Sequence, residues 1–268
     1  MKKRFIVLTD LSEHSANLLE YAWDWARRVD AEIALVHQVM VFVPSFADVE
    51  SGAEITRQAI LEAVHQMEAL CEPVFPDEAR VSMHVSEIPL RQTLSRLLGE
   101  PFSHLIVTGL KGTSLLKKMF IGSTTVQILE TTSDIVAAIP KDITSYTPEK
   151  IFVAVSEKHP FNAAVFNNLL EWMGPEAGPL TFFYLGKSGE DNSMIEKQLR
   201  DLAKLFSAEM ALYEGGNAFA DIKKVINNRE KELLVVQKGS RLLTDRLFRK
   251  FLINELVYEG ETPLIVLP

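Results

Sequence analysis

The residues with the most chemical potential lie in one stretch, Thr108-Gly-Leu-Lys-Gly-Thr-Ser-Leu-Leu-Lys-Lys-Met-Phe-Ile-Gly-Ser-Thr-Thr125. Thr108, Gly109 and Gly112 follow an apolar run, and Gly122, Ser123 and Thr124 stand where an apolar helical pattern (Val126, Ile128, Leu129) begins. Glycine lets a backbone come close to an oxyanion, and the amides and hydroxyls at a helix start are donors aimed at negative charge. That is the chemistry of holding a phosphate, with Lys111, Lys117 and Lys118 as flexible counter-charges. The plainer alternative is a turn at Gly109 and Gly112 and a helix cap at Gly122-Ser123. A second polar group, Thr9-Asp10, ends the apolar run Arg4-Phe-Ile-Val-Leu-Thr9. A carboxylate at a strand's carboxyl edge can accept from an amino or hydroxyl group; alternatively Asp10 shares a helix N-cap with Ser12.

Other motifs fail on inspection. Gly186-Lys187-Ser188 has the tail of a P-loop, but Thr181 stands where the leading glycine belongs, so a surface turn is expected. His37, His65, His84, His104 and His159 are dispersed, without metal-ligand spacing, and His14 beside Asp10 and Ser12 is explained by capping rather than by a triad. Cys71 has no partner for a disulfide or metal and is read as a small core filler on a helix; Trp23, Trp25 and Trp172 are read as packing residues. No catalytic residue and no metal ligand is expected.

Strands and helices must position these groups. Five continuous apolar runs, 4–9, 31–37, 80–85, 104–108 and 134–139, alternate with helical spacings. Leu18, Leu19, Ala22, Trp23, Trp25 and Ala26 form one such set, with Ser12 as its N-cap; Ile55 to Leu70 form another; Leu90, Leu94 and Leu97 a third, with Pro89 at its start. Continuous runs suit strands buried on both faces, and the alternation predicts right-handed crossovers in a mostly parallel sheet. In such sheets ligands bind beyond the carboxyl ends of the strands.

The pattern then repeats with runs at 150–155, 180–185, 208–213, 232–236 and 263–267. Val7 pairs with Val153 at the two starts, and Phe120 with Phe248 and Ile128 with Leu256 near the two ends. The second copy is therefore shorter, with the deficit expected in the segment corresponding to Val39–Gly52. This reads as a duplicated domain, residues 1–140 and 150–268, joined by a polar linker, 141–149.

The spacing Gly109-x2-Gly112-x9-Gly122-Ser123 resembles the nucleotide-binding signature of the universal stress protein family, and the resemblance extends over the whole chain as two tandem copies. It includes the first strand followed by Asp10-Leu11-Ser12, the strand end Leu35-Val36-His37 and the run Phe102 to Gly109. It implies an α/β fold with two tandem open parallel five-stranded sheets, helices on both faces and strand order 3-2-1-4-5, the adenine nucleotide alpha hydrolase-like arrangement. It also implies that the two last strands lie side by side, making the chain an intrachain pseudo-dimer; a further homodimer is left open. By resemblance, Thr9 and Asp10 would meet the adenosine end of ATP, backbone groups at Gln38 and Val39 the adenine, and Thr108, Gly109, Gly112, Gly122, Ser123 and Thr124 the ribose and phosphates, with or without Mg²⁺. The second copy departs from the pattern: Ser156 replaces Asp10, and Gln237, Ser240, Lys250 and Phe251 replace the glycines and serine. Nucleotide is expected in the first copy only.

Composition sets the bounds. The chain has 268 residues, 47% hydrophobic and 24% charged, with a net charge of −8. Through Ser145 there are 13 basic and 19 acidic residues, and after it 15 and 17, so neither half has the basic surface of a nucleic-acid binder. No run reaches the roughly 20 apolar residues of a membrane span, and Met1-Lys-Lys-Arg4 runs straight into a strand rather than a signal-peptide core, so a cytoplasmic protein is expected. Lys238, Arg241, Arg246, Arg249 and Lys250 cluster near the second copy's loop, more simply as a solvated face than as an anion site. The resulting expectation is an ATP-binding stress-response or signalling module with an unidentified protein partner and at most slow hydrolysis or autophosphorylation. A nucleotide-free scaffold with a vestigial site is the alternative. An adenylate-transferring enzyme is disfavoured, because the Ser-Gly-Gly-x-Asp-Ser and His-x-Gly-His motifs are missing.

Overall fold

Burial on both faces is what the continuous apolar runs demand, and the computed structural model meets that demand by laying them in one sheet. It describes residues 1–46, 48–109, 132–157, 159–175, 177–186, 191–214, 226, 231–238 and 262–268. The elements are β1 (Lys3–Leu8), α1 (Ser15–Arg28), β2 (Glu32–Gln38), α2 (Val49–Cys71), β3 (Val81–Ser86), α3 (Leu90–Leu98), β4 (Ser103–Gly109) and β5 (Ile135–Ile139). They continue with β6 (Lys150–Ala154), α4 (Ala163–Met173), β7 (Leu180–Gly186), α5 (Ser193–Phe206), β8 (Glu209–Glu214), β9 (Glu232–Gln237) and β10 (Leu264–Leu267). All ten apolar runs are strands. The helix expected from Val126, Ile128 and Leu129 lies outside the described residues.

The sheet order is β3-β2-β1-β4-β5-β10-β9-β6-β7-β8, so the first half has the order 3-2-1-4-5 and the second half mirrors it. Instead of two separate five-stranded sheets there is one of ten strands, because β5 and β10 pair antiparallel with Val136 opposite Val266 and Ala138 opposite Leu264. Every other pair is parallel. The seam leaves each of the two most apolar short strands without an open edge.

Because the seam preserves the faces of the sheet, α1, α2, α4 and α5 share one side, and their buried side chains form one apolar cluster across both halves. Leu94 and Leu97 of α3 cover the opposite side. The connection 141–149 is polar in composition but is not a loose tether: Ile143 and Tyr146 are buried. Tyr146 stacks on Trp25 with ring centroids 4.3 Å apart and planes 3° from parallel. Its hydroxyl donates to Met173 O (3.2 Å) and its amide to Asp24 Oδ2 (2.9 Å). Trp25 Nε1 donates to Trp172 O (2.7 Å), and Trp172 meets Phe5 edge-on at 4.9 Å. Indole and phenol thus bury their rings while their polar tips find carbonyl acceptors.

The longer connection between β2 and β3 is divided among three places. The loop 39–48 exceeds its counterpart 187–192, α2 has 23 residues against 14 in α5, and the exit 72–80 exceeds 207–208. The extra length therefore reaches well past the Val39–Gly52 expected from alignment. In α2 only Ala63, Met67 and Cys71 are buried, so the apolar spacing from Ile55 onward meets the core only in the helix's second half.

Two outcomes follow from this packing. Trp25→Ala should destabilise the protein by about 3–5 kcal/mol, the range for emptying a buried aromatic site, and the two halves should still unfold in one urea transition by fluorescence and circular dichroism. His104, buried on β4, has its pKa lowered first by burial, against opposing contributions from the Glu100 carbonyl it bonds and from Asp134. The unfolded imidazole takes its proton near pH 6.5 and the folded one only at lower pH, so this contribution is complete above about pH 6.5 and is lost as pH falls. The urea midpoint of His104→Gln should accordingly fall less steeply between about pH 7 and 5 than that of the parent protein.

Candidate functional site

At the centre of the first half, β1 is flanked by β2 on one side and β4 on the other, and all three end together. Leu8 lies opposite Val36 and opposite Thr108. The next residues, Thr9 and Asp10, therefore emerge between the ends of β2 and β4. The chain leaves β1 toward β2 on one side and leaves β4 toward β5 on the other, and such a reversal opens a crevice beyond the strands' carboxyl ends.

A chain of hydroxyls shapes that crevice. Thr9, buried, donates from Oγ1 to Ser15 Oγ (2.9 Å), and Ser15 Oγ donates to Asp10 Oδ1 (3.3 Å). Asp10 Oδ1 also accepts from Ser12 N (3.1 Å), while Thr9 Oγ1 accepts from Leu11 N (3.1 Å). These bonds hold Leu11 at φ 56°, a left-handed conformation that a leucine adopts only under constraint. Ser12 is not the helix cap. The turn closed by Asp10 delays α1 to Ser15, with His14 in the cap position and no side-chain cap bond. Ser15 went unnoticed in the sequence, although a serine on the same buried stripe as Leu18, Leu19 and Ala22 is the signal that could have found it.

On the β2 side, the ladder with β1 stops early. Thr9 N still donates to Val36 O (3.0 Å), but Thr9 O faces His37 Nδ1 (2.9 Å). Val39 is buried and its amide is spent on Ser86 O (2.9 Å). The Gln38 side chain is spent too: its Oε1 accepts from Leu90 N (3.0 Å) at the start of α3. By the alternation of strand hydrogen bonds, the Gln38 main-chain N–H and C=O turn toward β1, beyond its last partner. Of the two residues expected here, Gln38 offers its backbone and Val39 offers no amide.

On the β4 side, Thr108 is buried and Gly109 pairs with Ile139 as the last residue of the strand. Among the described glycines only Gly174 has positive φ, so Gly109 does not serve a turn. A Cβ added there would lie 3.4 Å from Leu18 Cδ2, in ordinary contact. Gly112, Gly122, Ser123 and Thr124 lie outside the described residues, as do Lys111, Lys117 and Lys118.

The second half fills the equivalent places with its own side chains. Gln237, where the first half has Gly109, accepts at Oε1 from Asn162 N (2.9 Å) and donates from Nε2 to Pro160 O (3.1 Å). Asn192 packs over Gly186 so closely that a Cβ there would come within 3.1 Å of the amide. Ser156 is buried. Of the basic cluster, Lys238 donates to Thr132 O (2.5 Å), its pKa lowered by burial; Arg241, Arg246, Arg249 and Lys250 lie outside the described residues, as do Lys187 and Ser188 of the P-loop-like segment. Among the described residues no group of three His, Cys, Asp or Glu could hold a metal ion, and no helix is long and apolar enough to cross a membrane.

The model of the universal stress protein family matches residues 1–139. Among solved structures, a universal stress protein from Archaeoglobus fulgidus DSM 4304 superposes with a TM-score of 0.64 at 16% identity, over 98% of this chain and 97% of that one. A functionally unknown protein from Pseudomonas aeruginosa PAO1 gives 0.56 at 16% identity, over 100% and 92%. The cytoplasmic domain of a prokaryotic cation chloride cotransporter gives 0.51 at 12% identity, over 99% and 95%. At these identities the likeness is one of fold. No curated protein matches the chain.

The relay from Thr9 through Ser15 to Asp10 makes a stability prediction. Ser15→Ala leaves the buried Thr9 hydroxyl without its acceptor and should cost about 1–2 kcal/mol. A shifted urea midpoint at unchanged slope would record it.

Proposed function

The chain belongs to the universal stress protein family, and on that premise we propose that its first half is an adenine-nucleotide-binding module of a stress-response protein. The observation that carries the reading is the crevice at β1, where Thr9, Asp10, the Gln38 backbone and the uncluttered end of β4 at Gly109 converge. Asp10 is held by Ser12 and Ser15 before any ligand arrives, so a hydroxyl or amino donor of the nucleoside would meet a carboxylate already oriented. The Gln38 backbone offers one donor and one acceptor, the pair that an adenine edge complements. The signature Gly109-x2-Gly112-x9-Gly122-Ser123 supplies the rest from sequence: glycines and the amides and hydroxyls of Gly122, Ser123 and Thr124 around the phosphates.

Nucleotide is assigned to the first half alone. Gln237 and Asn192 occupy the second half's corresponding places, and the glutamine already satisfies both a donor and an acceptor of its own loop. The reading is of a binding module that changes a surface read by another protein, with hydrolysis slow or nil. No positioned general base adjoins Asp10 among the described residues.

Calorimetric titration with ATP and Mg²⁺ tests it. One site per chain is expected, weakened about 10- to 100-fold by Asp10→Ala through loss of a hydrogen bond to a charged group. Gly122→Lys should abolish binding. Silence of the parent protein at millimolar ATP, or two sites per chain, would sink the reading, and multiple-turnover hydrolysis abolished by Asp10→Asn would replace a binding module with an enzyme.

A further inference from the structure

Beside the crevice, the chain carries an apolar surface that is exposed among the described residues. The loop 39–48 and the first turn of α2 expose Phe42 (86%), Phe46 (91%), Val49 (89%) and Met40 (71%). Scattered single apolar residues are ordinary on a protein surface, but four large ones within ten consecutive residues are a patch. Their exposure follows from length. A helix of 23 residues runs about 34 Å, whereas the six- and seven-residue strands beneath it span about 20–23 Å. α2 starts after the carboxyl end of β2, so its first turns overhang the sheet on the edge where Asp10 and Gln38 lie.

The overhang has a shape. Val43 folds back on Gly52, where an added Cβ would come within 3.1 Å of Val43 Cγ1. The loop and helix together with Glu87 form a groove of about 480 Å³ lined by Val43, Gly52, Thr56, Arg57, Ile60 and Leu61. The loop end and first turns of α2 beside it are acidic, with Asp48, Glu50 and Glu54 all exposed. Glu87 lines the groove unmatched by Arg57 in the described ion pairs, since that guanidinium is held by Glu54. Hydrogen bonds from Arg57 and then Gln58 keep the Glu54 carboxyl below its ordinary pKa, so it is ionised throughout the neutral range. In the second half the equivalent helix, α5, has only 14 residues.

We propose that this overhang is a docking site for a basic amphipathic segment of a partner protein, whose apolar face covers Phe42, Phe46 and the groove while its cations meet Glu50, Glu54 and Glu87. The acidic rim decides the occupant's charge: it repels an anionic lipid surface and another copy of the same acidic rim, and it complements lysine and arginine. Apolar anchors provide affinity and the rim provides selection between charges. The inference stands apart from the nucleotide reading and is tested without nucleotide.

The probe is a labelled helical peptide of about 18 residues with leucine on one face and lysine on the other, titrated with the full chain and followed by fluorescence anisotropy. The parent protein should bind it in a salt-sensitive manner, and a leucine–glutamate peptide at least about tenfold more weakly. The exposed double variant Phe42→Ser/Phe46→Ser, checked for folding by circular dichroism, should lose at least about tenfold in affinity, and Glu50→Lys/Glu54→Lys should reverse the preference between peptides. Equal binding of the two peptides, unchanged binding by the double variant, or no binding would overturn the proposal. So would concentration-dependent self-association removed by the double variant, which assigns the patch to a second copy, or co-sedimentation with phosphatidylcholine–phosphatidylglycerol vesicles, which assigns it to lipid.

Discussion

The antiparallel pairing of β5 with β10 is the constraint on which the rest of the molecule depends. Without it, Ile135–Ile139 and Leu264–Leu267 would be two apolar edge strands, each short of a hydrogen-bonding partner. With it, the two halves share one sheet, their helices α1, α2, α4 and α5 fall on one side, and a single apolar cluster becomes available to both. The tight contacts of Trp25 with Tyr146 and Trp172 are a consequence of that shared face. A rotation between halves would have to break the seam, the stacked rings and their carbonyl bonds together. The halves are one mechanical body although they are two in sequence.

Within that body the two carboxyl edges have diverged in opposite physical directions. The first half ends β4 in Gly109 and brings Thr9, Asp10 and the Gln38 backbone to the same edge. The second half ends β9 in Gln237, whose amide bridges Asn162 N and Pro160 O and so satisfies the loop from within. A buried or half-buried polar group must find a partner in the protein, in water or in a ligand. Gln237 settles that requirement within its own loop, and Thr9 and Asp10 settle it through Ser12, Ser15 and the Leu11 amide.

The fold was largely legible in the sequence because runs such as Phe5-Ile-Val-Leu8 and Leu233-Leu-Val-Val236 are too apolar for any place but a strand buried on both faces. Pro89 marked the start of α3 for the steric reason that holds for any helix. Less was legible where tertiary contacts overrule local pattern. Ser12 has the right type for a cap, but the turn closed by Asp10 uses its amide and moves the helix start to Ser15. The spacing from Ile55 onward is that of an amphipathic helix, yet periodicity does not say how far the core extends beneath it, and the strands end first. Composition called 141–149 a linker, and two of its residues, Ile143 and Tyr146, are core. Of the candidate site, Thr9, Asp10, Gln38, Thr108 and Gly109 do come together at one edge, while the duties of Ser15 and the Gln38 side chain depend on partners distant in sequence.

The seam also determines how the second half can act on the first. Because it is antiparallel, the two carboxyl edges lie at opposite ends of the shared sheet. Among the described residues, a contact of the second half with the chain returning to β5 lies at the far end from the crevice at β1. Lys238 follows β9, bonds Leu267 O through its amide and reaches Thr132 O, in the turn where Thr132 Oγ1 and Asp134 hold each other. A partly desolvated ammonium demands an acceptor, and here the acceptor is the carbonyl at which the segment after Gly109 returns to the sheet. That segment is thus anchored at its entry by the pairing of Gly109 with Ile139 and at its exit by a cation from the other copy. The second half is in this way part of the frame around the first.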